Sequence, residues 1–324
     1  MRGRPWVIFL GVMALSGPAV GSAQEPAEER RPKVELSAGV WLSVGDTRWA
    51  HNASSVAGLG NPTSKLIYKD VGTNVIDLAG KFWFSPKIFG RLNVGVSDIG
   101  GGRLIDDDYG TGQRLFSRTH SNLPDNSMWY INVDLGTRVK EFANRRGYLD
   151  LFGGYQYWHT DYSAVGVGQV VCNPGVIPGL SCSPAGTSSF QGVKVITNTT
   201  DWHSIRVGGT SEYFLTRRFS VNGTVAFIPI SLLDNRDIHH LRNDLQQNPS
   251  FSMKGVGIGA NADVGVKYLL ARHVAATVGY RLYYNRLVNG DLTSRPVSGG
   301  EMSFPLTQFE SLRHGLTAGV MVLF

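Results

Sequence analysis

Between residues 255 and 268 the chain alternates without interruption. Val256, Ile258, Ala260, Ala262, Val264, Val266 and Tyr268 share one parity, and Gly255, Gly257, Gly259, Asn261, Asp263, Gly265 and Lys267 share the other. An extended strand sends successive side chains to opposite faces, whereas a helix would scatter these two sets around its axis. The division recurs along the chain. Val274, Ala276, Val278, Tyr280, Leu282 and Tyr284 oppose Ala275, Thr277, Gly279, Arg281 and Tyr283. Phe219, Val221, Gly223, Val225 and Phe227 oppose Ser220, Asn222, Thr224 and Ala226. Val34, Leu36, Ala38, Val40, Leu42 and Val44 oppose Glu35, Ser37, Gly39, Trp41 and Ser43, and residues 131–136 and 316–324 keep the same rhythm. A chain made of such segments is all-β.

Alternation alone fits a soluble sandwich with its apolar face inward, or a membrane barrel with its apolar face in lipid. Four features favour the barrel: an export leader, long strands, a terminal Phe324, and aromatics near strand ends (Trp41, Trp83, Trp129 and Tyr284). Residues 1–23 read as a signal peptide, with Arg2 and Arg4, an apolar stretch from Trp6 to Leu15 too short to span a bilayer, and Gly21, Ser22 and Ala23 at the cleavage point. Residues 24–33 are charged, carry prolines and lack periodicity, so they are expected to be a flexible lead-in. Residues 34–324 are then the barrel domain.

Composition agrees, because only alternate residues face lipid: 17% are charged, 10% aromatic and 40 are glycine. Tight turns are expected at residues 85–87, 143–147, 216–218 and 271–273, and long polar loops at 50–64, 105–124, 166–196, 233–249 and 289–305. Short periplasmic turns alternating with long extracellular loops give an up-and-down antiparallel transmembrane barrel of about ten strands in the bacterial outer membrane.

The net charge of +6 is spread along the chain, and no basic cluster with interleaved aromatics suggests a nucleic-acid partner. Cys172 and Cys182 share one Gly/Pro-rich stretch of an exported chain, so a local disulfide is expected.

Acidic residues and histidines cluster in two of the expected loops, at Asp106, Asp107 and Asp108 and at Asp234, Asp237, His239 and His240. On extended backbone Asp106 shares a face with Asp108, and Asp237 with His239. A carboxylate pair facing a carboxylate-oriented imidazole can activate water by taking its proton. Spacing alone leaves open a solvated acidic loop beside a surface histidine. Adjacent histidines on extended backbone diverge, so no metal site is expected at His239 and His240.

The string Gly102-Arg103-Leu104-Ile105-Asp106-Asp107-Asp108-Tyr109 resembles the aspartate-pair motif of the omptins, outer-membrane endopeptidases in which a glycine and a short apolar pair precede Asp-x-Asp and an aromatic. Asp237-Ile238-His239 resembles their Asp-x-His dyad, in the fourth loop as in the family, and the similarity extends through residues 149–156. The resemblance implies a protease without cofactor. Asp106 and His239 would activate the hydrolytic water, Asp237 would orient His239, and Asp108 would complete the pair. Asp107 and His240 would point away.

The family selects basic side chains with acids at the base of its cleft. Here Asn235 stands two before Asp237, the first long loop has no acid, and Asp234 and Asn235 are the candidate substrate contacts. The resemblance also implies lipopolysaccharide as an activating lipid, but at that site this chain has Tyr155, Tyr157 and His159. The expected partners are thus outer-membrane lipid and surface peptides or proteins, bound by a monomer. The alternative is a non-catalytic barrel on the same scaffold, an adhesin or porin-like protein.

Overall fold

The computed structural model describes residues 32–142 and 146–324. The expected signal peptide, most of the lead-in and the tip of the turn at 143–147 lie outside the described residues. Ten strands follow one another: β1 (Val34–His51), β2 (Leu59–Trp83), β3 (Ile88–Gly110), β4 (Arg114–Glu141), β5 (Gly147–Cys172), β6 (Ser188–Phe214), β7 (Phe219–His239), β8 (Phe251–Ala271), β9 (Val274–Ser294) and β10 (Met302–Leu323). Each pairs antiparallel with its chain neighbour, and β1 closes on β10. Closure removes every sheet edge, which a barrel in hydrocarbon requires because no water is present to satisfy free backbone groups.

The strands run to 28 residues, far beyond the roughly 9–11 that cross a bilayer. The apolar parity faces outward as a sustained band in the half nearest the short turns. Ile76, Leu78 and Phe82 of β2, Ile88, Leu92 and Val96 of β3, and Val225, Phe227, Ile230 and Leu232 of β7 are all exposed. That belt faces lipid. Beyond it the strands stay paired, but their outer wall turns polar, with Arg48 to Asp46 at 2.8 Å and Lys69 to Asp70 at 4.0 Å.

The long loops expected from sequence are accordingly mostly strand. The true extracellular connections are residues 52–58, 111–113, 173–187, 240–250 and 295–301. Above the membrane neither face needs to be apolar, so the period-two signal fades while the hydrogen-bonded ladder continues. Two of the expected girdle aromatics also lie elsewhere. Trp41 is fully buried inside the barrel, and Trp83 packs against the small lumen cluster of Phe89, Phe152 and Ala226. Trp129 does face outward, 40% exposed.

The lumen is filled in two layers. Nearest the periplasm, charged side chains pair across it: Lys81 and Arg138 meet Asp150 at 2.7 and 2.6 Å, Arg91 meets Asp134 at 2.8 Å, and Arg281 bridges Asp77 and Asp263 at 2.8 and 2.5 Å. A cavity of about 270 Å³ remains among them. Above it lies an aromatic layer in which Tyr283 stands 5.2 Å from Trp41, 5.4 Å from Tyr130 and 6.1 Å from Trp158, ring centre to ring centre. A barrel of this strand number is narrow enough for side chains to fill it. The refolded protein is therefore expected to form no large, stable conductance steps in planar bilayers; steady channels of porin size would contradict the filled lumen.

Candidate functional site

The mouth is built on the upper ends of β1, β2, β3 and β7. On β3 the inward residues are Leu104, Asp106 and Asp108, reached in register from Tyr68, Leu66 and Ser64 of β2. Leu104, Leu66 and Tyr68 are buried at 1% exposure or less, so they floor the cleft from which the two carboxylates rise. Ser64 Oγ lies 3.4 Å from Asp106 Oδ1 and also supports Asp108. Asp107 takes the opposite face, where Arg118 donates to its two oxygens at 2.6 and 2.7 Å. It is a structural residue of the outer wall.

On β7 the inward residues are Leu233, Asn235, Asp237 and His239. Asp237 is fully buried, and its Oδ2 lies 3.1 Å from His239 Nε2. Asn198 of β6 donates to Asp237 Oδ1 at 3.3 Å. The backbone of His239 is held from the following loop, since its N–H donates to Ser250 Oγ at 3.0 Å and Gln247 Nε2 donates to its carbonyl at 3.1 Å. Phe251 meets the imidazole edge-on at 5.0 Å. Neighbouring His240 points away and bonds Thr197 Oγ1 at 2.8 Å.

The carboxylates of β3 and the imidazole of β7 both face into the mouth, and their charges act on one another across it. Burial, and then the charge of Asp108, pushes Asp106 up to about 8. Burial also raises Asp108, against the pull of Ser64 and His239. For His239, burial works downward, but the bond and charge of Asp237 and the charge of Asp106 outweigh it and raise the imidazole above its ordinary range. The set therefore holds protons that can be exchanged near neutral pH. Among the described residues no group of three or more His, Cys, Asp and Glu side chains could hold a metal ion.

The two expected substrate contacts fall on opposite faces of β7. Asp234 faces the outer wall with Lys254 at 3.9 Å. Asn235 faces inward but is fully buried, and its amide donates to Asn198, the carbonyl of Thr199 and Thr200 Oγ1 at 3.0, 3.0 and 2.8 Å. It is spent on positioning Asn198, and through it Asp237. Alternation alone sets Asp234 opposite Asp237 and His239, and the shift in register between Ile228 and Ser231, beside Pro229, whose missing N–H cannot join the ladder, sets which of the two faces is inward. Asn198, Ser64 and Phe251 escaped the sequence reading because they lie on strands that carry no acid or histidine motif.

The tip of β3 is braced by the loop at 173–187. Cys172 and Cys182 form the expected disulfide, with their Cα atoms 5.7 Å apart. The stapled loop buries Ile177 and sets Val176 against Gly110, where a Cβ would come within 2.5 Å of the Val176 carbonyl oxygen. Only glycine fits there. Replacing both cysteines by serine should cost about 2–3 kcal/mol in loop closure. The barrel should stay folded while amide exchange quickens in residues 173–187 and at the β3 tip; exchange unchanged at the tip would mean that the loop does not brace it.

On the outer wall, Tyr155 bonds His203 at 2.6 Å, His159 bonds Asp201 at 2.7 Å, and Tyr157 also bonds Asp201.

Residues 44–297 match one family model, described as Protochlamydia outer membrane protein. No curated protein matches the sequence. Among solved structures, the outer membrane protease OmpT from Escherichia coli is similar in fold, with a TM-score of 0.68 at 15% identity over 93% of this chain and 99% of that chain. The translocator domain of the autotransporter NalP from Neisseria meningitidis aligns over 92% of this chain and 90% of its own at 9% identity, with a TM-score of only 0.35.

Proposed function

The chain belongs to the Protochlamydia outer membrane protein family and lies in the bacterial outer membrane, and on that footing we propose that it is an omptin-like endopeptidase. It cleaves peptides or proteins at the cell surface with water activated between the Asp106–Asp108 pair and the Asp237–His239 dyad. The observation that supports this reading is that these two pairs, far apart in sequence, both face inward at the mouth of a barrel whose lumen is filled, where their charges act on one another. The fold of the Escherichia coli outer membrane protease supports it, covering nearly all of both chains.

Each residue has a task in this reading. Asp237, itself held by Asn198, fixes the imidazole and stabilises its cation. Asp106 and His239 take the proton of the attacking water and return one to the departing amine. Asp108, by its like charge, keeps a proton available at Asp106. No covalent acyl intermediate is formed and no cofactor takes part. The closed barrel is complete within one chain, so a monomer suffices. Lipopolysaccharide enters as outer-leaflet lipid alone, because Tyr157, His159 and Asp201 spend their polar groups on one another.

The filled lumen disfavours the pore form of the non-catalytic alternative. The test is cleavage of a diverse peptide library by the refolded protein in detergent, with His239→Ala beside it. Cleavage by the parent and none by the variant is the expected result. A parent that cuts nothing, or a variant that cuts as well, would sink the protease reading.

A further inference from the structure

Two hydrogen-bond donors under the mouth are unused. Tyr68 of β2 is fully buried and Trp49 of β1 is 1% exposed, yet neither Tyr68 Oη nor Trp49 Nε1 makes a well-formed hydrogen bond; the indole N–H lies beside the hydroxyl, whose own proton has no acceptor. Buried polar groups almost always find one, and an orphan persists where something outside the resting structure supplies it. Both side chains point inward, at a level where the outer wall carries Arg48, Asp46, Lys69 and Asp70, above the lipid-facing belt.

The register places them against the acids. Trp49, Leu66 and Asp106 form one rung across β1, β2 and β3, and Thr47, Tyr68 and Leu104 form the rung below. A tyrosine one rung beneath Asp106, on the adjacent strand, has the reach to bring its hydroxyl under the cleft. The charges of both Asp106 and Asp237 act on that hydroxyl, so it lies between the two walls of the site. Burial, then those two charges, pushes its ionisation well above the ordinary tyrosine range, which keeps it a donor.

The ring is also held in place. It stacks on Tyr162 at 4.7 Å with an interplanar angle of 16°. Tyr162 Oη lies 3.0 Å from Thr47 Oγ1 and accepts from Arg313 at 2.8 Å. A donor fixed in advance is what stabilisation of developing charge requires, and such bonds are often completed only when the reacting group arrives.

We propose that the Tyr68 hydroxyl, with the Trp49 indole N–H beside it, stabilises the oxyanion formed when water attacks a peptide carbonyl. This rests on the endopeptidase reading above. Water gives a proton to the Asp106–His239 set while its oxygen bonds the carbonyl carbon. The carbonyl π pair moves onto the carbonyl oxygen, which takes the hydrogen bond of Tyr68. Collapse re-forms the C=O bond, breaks the C–N bond, and the amine leaves with a proton returned by the set.

The experiment uses the full barrel with Tyr68→Phe and Trp49→Phe, compared on the best peptide from the library. Tyr68→Phe removes one hydroxyl that donates to nothing in the resting structure, so folding should be preserved, as read by heat-modifiable mobility in gels. It is expected to lower kcat by about 10²–10³-fold, with KM changed less than about threefold. A phosphonate analogue of the same peptide should bind more weakly to the variant by a comparable factor, which a merely structural tyrosine would not produce. Trp49→Phe should show a smaller loss of the same kind. Unchanged kcat and analogue affinity in Tyr68→Phe, while His239→Ala is inactive, would overturn this inference and leave the protease standing. A parent that cleaves nothing removes both.

Discussion

Asp106→Asn is expected to lower peptide cleavage by about 10²–10⁴-fold, or roughly 3–5 kcal/mol of transition-state stabilisation. The substitution keeps size and shape, so Ser64 retains an acceptor at 3.4 Å and the β2–β3 ladder is untouched. What disappears is a carboxyl that exchanges a proton near neutral pH. Because burial and Asp108 push Asp106 up to about 8, the parent's rate should climb as pH rises toward about 8, where Asp106 ionises and becomes able to accept a proton. Asp108→Asn removes a like charge, so Asp106 should ionise more easily and the rising limb should move to lower pH, at reduced maximal rate. Rate–pH profiles of the parent and the two variants test this. A limb that stays in place in Asp108→Asn would mean that the two carboxyls do not share a proton. Asp107→Asn is the internal control, since it faces Arg118 on the outer wall and should change cleavage less than about twofold.

Arg281→Met should be the most damaging single change to the barrel itself. Its guanidinium meets Asp77 at 2.8 Å, Asp263 at 2.5 Å and the hydroxyl of Tyr130 at 2.8 Å. Methionine fills much of the volume but leaves two carboxylates facing each other in a narrow lumen. Removing one partner of a buried ion pair typically costs about 3–5 kcal/mol, and the partial exposure of Asp263, 31%, places this case near the lower end. The urea midpoint for unfolding from detergent micelles should fall accordingly. Adding Asp77→Asn and Asp263→Asn to the same chain should recover most of the loss, because the charges left behind are then gone. A single variant as stable as the parent would show that these carboxylates are held by other groups.

What the sequence disclosed was decided by solvent. In the membrane-facing half, lipid outside and packed polar groups inside impose opposite demands on alternate residues, so strands and their outward faces could be read directly. Trp41 misled because it is apolar yet belongs to the inner parity, where its neighbours are Tyr130 and Tyr283 rather than lipid. In the half above the membrane both faces tolerate polar residues, and continuous strands looked like loops. Asp106 and Asp108, and likewise Asp237 and His239, could still be paired by parity, since no irregularity in either ladder falls between the members of a pair. The same parity sets Asp234 on the face opposite the dyad, whereas Tyr68 and Trp49 lacked any local mark, because a stacked, buried side chain is visible only once β1, β2 and β5 are brought together.

The irregularity at Pro229 makes the upper part of β7 behave as a reading frame. Downstream of it, Leu233, Asn235, Asp237 and His239 face the mouth, and Asp234, Arg236 and Ile238 face out. One residue inserted or deleted between Ser231 and Asp237 would exchange the faces of the residues beyond it in a single step and turn the dyad from the mouth to the outer wall of the barrel, with the hydrogen bonds of the ladder still available. Length variation during the divergence of such barrels is therefore expected to collect in the connections, such as residues 183–187 beyond the disulfide, and to come in pairs of residues where it enters a strand above the membrane.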